Sequence, residues 1–168
     1  MLEIIQSLTA IIALIISVCT LKQNSKQIEE STRPYITVYL KTINLGTPYK
    51  ILIIKNFGKS AGKINTFKCD YNLSKISCID DLTPFNSIQE STLVPNQSYK
   101  SLINPPEENL ILNFQISYTS TSNIKYNENI SIKVDANKDN AYSRYSGGTN
   151  KDMNALICSI QQLVEETL

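Results

Sequence analysis

Any chemistry this chain performs must come from a short list of side chains, because its 168 residues include no histidine. Without imidazole the usual nucleophile–base triads and most metal sites are excluded. The four cysteines, Cys19, Cys69, Cys78 and Cys158, show no C-x-x-C spacing, so a zinc set is not expected. A cysteine nucleophile would need another base, and Cys158 sits beside an apolar stripe, where packing explains it. The adjacent acids Asp80-Asp81 and Glu107-Glu108 read as solvated loop residues, since a calcium loop wants acids at alternate positions. Gly58-Lys59-Ser60 has the look of a phosphate-loop ending, but Ile53 stands where that motif requires its first glycine. No enzyme, cofactor or metal is therefore expected.

Cys69 and Cys78 are the pair with a further reading. A turn over 72–75 would place them opposite each other across a hairpin, as a disulfide outside the cell or as two thiols in a reducing cytoplasm. Two small apolar residues placed there by chance is the plainer alternative. Three Asn-X-Ser tripeptides, at Asn72, Asn96 and Asn129, fit a glycosylation pattern that an Asn- and Ser-rich chain produces by composition. A net charge of +1 with scattered lysines argues against a nucleic-acid partner, which would need a basic face.

The elements that position these residues begin with residues 1–21. No charged side chain occurs over 4–21, a run that matches the hydrocarbon thickness as a helix. A secretory signal wants Lys or Arg before its apolar core, and here Glu3 has the wrong sign. A lipoprotein signal wants a small residue before its cysteine, and Val18 precedes Cys19. A buried helix would need a larger domain to hide it. Residues 1–21 therefore predict a transmembrane helix, with 22–33 a polar helical stalk that Pro34 stops. Lys22, Lys26 and Arg33 follow the span, which predicts an outside N-terminus and a cytoplasmic domain, single-pass in the cell membrane. Thr9, Ala13 and Ser17 recur every four residues, a spacing that permits weak self-association of spans.

Beyond Pro34 the period changes to two, with Ile36, Val38 and Leu40 on one face. Residues 44–48 read as a turn and 49–57 as a central strand, apolar on both faces at 51–54. Ala61, Ile64 and Phe67 are spaced by three, which predicts a strand with a bulge near Asn65. Short strands are expected over 91–94 and 99–103 around a Pro95-Asn96-Gln97 turn. The cleanest hairpin pairs Leu110, Leu112, Phe114, Ile116 and Tyr118 with Ile124, Tyr126, Ile130, Ile132 and Val134. Residues 136–150 form a polar linker, and 151–168 an amphipathic helix with Met153, Leu156, Ile157, Ile160, Leu163 and Val164 on one stripe. That stripe must be covered, by the chain's own domain or by a partner. The fold class is mainly β: an immunoglobulin-like antiparallel β-sandwich over 34–135, between an N-terminal transmembrane helix and a C-terminal amphipathic helix.

The span, the stalk, Arg33-Pro34-Tyr35-Ile36, Ile54-Lys55-Asn56-Phe57-Gly58-Lys59-Ser60-Ala61, Leu93-Val94-Pro95-Asn96-Gln97 and Ile116-Ser117-Tyr118 come in an order that carries a resemblance. The chain resembles small uncharacterised bacterial and prophage membrane-anchored proteins with one span and an immunoglobulin-like β-domain. It departs from them at Asn96, where such turns often carry glycine. The resemblance implies anchoring and a β-domain, and no reaction. Two function classes follow. One is a non-enzymatic membrane-anchored interaction module, bound to an unknown protein or to itself as a homo-oligomer. The other, from the resemblance alone, is a membrane accessory of a mobile element in phage exclusion or defence.

Overall fold

The computed structural model describes residues 1–44, 48–105, 109–136 and 151–167. Residues 45–47 of the expected turn at 44–48, Glu107-Glu108 and nearly all of the 136–150 linker fall outside these residues. Span and stalk form one helix, α1 (Leu2–Thr32), with no buried residue. Its hydroxyls fold back on its own carbonyls, as where Ser17 Oγ donates to Ala13 O at 2.9 Å. The helix stops at Arg33, which adopts φ −56° and ψ 153° because the following proline forbids helical geometry. It is long and apolar enough to cross a membrane.

The chain then builds two antiparallel sheets that share one core. The first has the order β1 (Ile36–Asn44), β2 (Pro48–Asn56), β5 (Ser98–Ile103). The second has the order β4 (Thr92–Leu93), β3 (Gly62–Cys69), β6 (Ile111–Ser120), β7 (Lys125–Lys133). Alternation decides which residues meet. Ile36, Leu52 and Ile54 from the first sheet pack with Ile64, Leu112 and Phe114 from the second. Phe67 sits between Phe85 and Phe114, with ring centroids 5.7 and 5.6 Å away. The β3–β6 register shifts between Ile64 and Thr66, so the bulge is at Asn65, whose amide donates to Thr119 Oγ1 at 2.8 Å.

One local expectation is corrected. Residues 72–75 do not turn a hairpin. A 3-10 helix (Leu73–Ile76) stands there, begun by Asn72, whose carbonyl oxygen accepts from Ser74 N–H at 3.1 Å. It carries the chain from one sheet to the other, because Leu73 and Ile76 are both drawn into the core. Cys69 thus ends β3, while Cys78 N–H donates to Leu102 O beside β5; the two are not cross-strand partners and both are free thiols. The short strands expected on either side of Pro95-Asn96-Gln97 are present, β4 joining the second sheet and β5 the first. Asn96 takes the left-handed conformation (φ 65°) that this turn demands, the position where glycine is the common choice.

The C-terminal helix, α2 (Lys151–Thr167), lies against β1. Ile53, pointing away from the shared core, is nonetheless buried, as is Cys158 of α2.

Candidate interaction surfaces

The junction between α1 and the sheets is built around three backbone units, Arg33, Pro34 and Tyr35. Asn56 ends β2 with its side chain fully buried. Its carbonyl oxygen accepts from Tyr35 N–H (3.0 Å) and Gly58 N–H (2.9 Å). Its amide donates to Ser60 O (2.8 Å) and Leu93 O (3.0 Å). Gly58 lies flush on the same segment, where an added Cβ would fall 2.3 Å from Arg33 O. The segment 56–62, which contains the phosphate-loop-like Gly58-Lys59-Ser60, is thus a clasp on the stalk's end.

Side chains fasten the other side of the junction. Tyr126 on β7 donates to Glu29 Oε1 at 2.8 Å, and the Arg33 guanidinium lies 5.2 Å from the Tyr126 ring. Tyr118 stacks on Tyr126 with centroids 5.5 Å apart. Its hydroxyl is within hydrogen-bond distance of Pro34 O (3.3 Å) and Glu128 Oε1 (3.2 Å). Burial, and then the Glu128 carboxylate, push the Tyr118 phenol above its ordinary range. Burial and the Glu29 carboxylate do the same to Tyr126. Asn56, Tyr118 and Tyr126 were not legible as partners of the stalk. The one sequence signal was an asparagine closing an apolar strand.

Among the other residues considered from sequence, Asp80 and Asp81 are exposed on a loop. Burial raises the Cys69 thiol, while Cys78 is exposed. Among the described residues no three Cys, Asp or Glu side chains gather as a metal site.

The stripe on α2 divides. Ile157 is half-buried and Cys158 buried, while Met153, Leu156, Ile160 and Leu163 face outward. Each of those four is more than half exposed, at 53, 54, 53 and 64%. The Val164 side chain lies outside the described residues. The outward four are spaced three, four and three residues apart, the spacing of a helix–helix seam.

Fold and surfaces together define a class: a two-sheet β-domain clasped to the end of a long apolar helix, with an outward apolar seam on a second helix. Residues 2–138 match the family described as a domain of unknown function (DUF8453), and the chain belongs to that family. The match takes in α1 and both sheets and ends before α2. No curated protein and no solved structure matches the chain.

Proposed function

We propose that this protein is a membrane-anchored, non-enzymatic protein-interaction module, with α1 in the bilayer and an immunoglobulin-like sandwich on the cytoplasmic side. Lys22, Lys26 and Arg33 after the span support that orientation. The two antiparallel sheets around one core support the immunoglobulin-like reading. The observation that carries the function is the outward seam of Met153, Leu156, Ile160 and Leu163. Covering one such side chain contributes about 1.5–3 kcal/mol, so a helix docked by its other side and apolar outward is ready for a partner, another protein or a second copy.

The test is a photo-crosslinking side chain at Leu156 of the full chain in its native membrane, with exposed Asn127 on β7 as control position. The expected result is one protein adduct of fixed mass from position 156, lost when Ile160→Glu is added. Adducts with lipid alone, or the same pattern from both positions, would overturn the reading.

A further inference from the structure

The outer edge of β5 is open over its first residues, 98–100, while its far end is bridged by Ser77 at Ile103. Along this strand Gln97 O accepts from Asn56 N–H of β2, while Leu102 O accepts from Cys78 N–H on the opposite side. Backbone groups alternate along a strand, so Tyr99 and Ser101 bond β2 and the N–H and C=O of Ser98 and Lys100 point outward. Among the described residues neither Ser98 nor Lys100 has a partner for those outward groups. An open cleft of about 630 Å³ runs beside Lys100. Tyr99, Lys100 and Ser101 all line it; because side chains alternate between the two faces of a strand, three successive residues of β5 on one cleft place it along the strand's edge. Its other wall is the 81–91 loop, which supplies the apolar Pro84, Phe85 and Ile88. That wall is fixed to β3, because Glu90 N–H donates to Ile64 O at 2.8 Å and Ile64 N–H to Ser91 O at 2.9 Å.

The other sheet edges are less available. β4 has two residues. β1 and β7 face each other across a second cleft, where Lys50 Nζ of β2 donates to Val134 O at 3.0 Å, and α2 lies on β1.

We propose that the β5 cleft binds a short extended segment of a partner protein, added to the first sheet as a fourth strand. The outward pairs of Ser98 and Lys100 supply its backbone hydrogen bonds. Exposed Leu82 and half-buried Phe85 take its alternate side chains, over a floor of Pro84 and Ile88. Lys100 makes no ion pair with a described carboxylate, so it selects an acidic residue opposite, and Asp81 on the far wall disfavours a second one there. The cleft suits a thin strand rather than another folded sheet edge, because the 81–91 loop walls one side. This inference rests on the interaction-module reading, but on a surface separate from α2.

The test uses the full chain in lipid nanodiscs, panned against a displayed library of random nine-residue peptides, with one enriched peptide then made synthetically. In the free protein the Ser98 and Lys100 amides should exchange with deuterium faster than those of Tyr99 and Ser101. The peptide should carry an acidic residue, protect the Ser98 and Lys100 amides, and bind at least tenfold more weakly to Lys100→Pro. That variant removes both the outward N–H and the Lys100 charge, neither of which bonds β2, and an edge strand tolerates proline at such a position. Should it fail to fold, Lys100→Glu and the cleft-filling Ser87→Trp must each weaken the peptide instead. Equal enrichment on wild type and variants, or a bound peptide that leaves both amides exchanging, overturns the proposal. Self-association through β5 that excludes the peptide also overturns it. Loss of peptide binding with the α2 crosslink intact would leave the module reading standing.

Discussion

The side-chain amide of Asn56 donates to the carbonyl oxygen of Leu93 at 3.0 Å, tying the last residue of β2 in one sheet to β4 in the other. The same side chain holds Tyr35 and Gly58. One residue thus joins both sheets and the end of the stalk, using all four of its hydrogen-bonding positions. Asn56→Ala leaves buried donors and acceptors unpaired and should destabilise the domain by about 2–4 kcal/mol in chemical denaturation. Asn56→Asp should cost more, because a carboxylate would face the carbonyls of Ser60 and Leu93. An Asn56→Ala loss below about 1 kcal/mol would contradict the keystone role.

The two glycines of the clasp should rank clearly. A Cβ on Gly58 would meet rigid backbone, 2.3 Å from Arg33 O and 2.4 Å from Tyr35 N. A Cβ on Gly62 would meet side-chain atoms, Ile36 Cδ1 at 2.9 Å and Pro34 Cβ at 3.0 Å. Gly62→Ala should fall within the roughly 1–3 kcal/mol of ordinary overpacking, and Gly58→Ala should exceed it. Melting temperatures of the two variants check the order.

Acid should weaken the β3–β6 end through Asp70. Its carboxylate accepts from Asn113 N–H at 3.0 Å and Asn113 Nδ2 at 2.7 Å, and these bonds hold it below the usual aspartate range. A folded value below the unfolded one means that the stabilisation is complete above about pH 4 and is lost as pH falls through the folded value. Urea denaturation of Asp70→Ala should therefore show a smaller drop between pH 7 and acid than wild type. An unchanged drop would show that the Asn113 contacts carry no pH dependence.

Thiol labelling reads both exposure and side. Cys78 is exposed, Cys69 half-buried with a raised thiol, and Cys158 buried. A maleimide should modify Cys78 first, Cys69 more slowly and Cys158 last. For a cytoplasmic domain, a membrane-impermeant maleimide should reach Cys78 only after the cells are permeabilised. Labelling of intact cells would reverse the proposed orientation.

The Tyr126 contacts should set the stalk's angle more than the domain's stability. Tyr126→Ala removes the hydrogen bond to Glu29, the Arg33 contact and the stack on Tyr118. Spin labels at exposed Lys22 and Asn127 should show a single narrow distance in wild type and a broad one in the variant. Equal widths would mean that the backbone clasp alone fixes the stalk.

What the sequence determined by itself was local. Charge-free residues 4–21, the stop at Pro34, the two-residue alternation of Ile36 to Leu40 and of Leu110 to Tyr118, and the bulge near Asn65 each follow from neighbours a few positions apart. Such spacing fixes which face a residue takes, because side-chain direction follows the backbone's own period. It says nothing of which strand comes alongside. Tertiary structure alone sent β4 and β5 to different sheets, separated Cys69 from Cys78, and placed Asn56 where Leu93, Ser60 and Tyr35 converge. It also turned Cys158 inward and Leu156 outward on a helix whose period marked only one apolar stripe. Pairing and docking are settled by burial and hydrogen bonding between segments far apart in the chain. The register that leaves Lys100 at an open edge therefore exists only once β2 has taken its place beside β5.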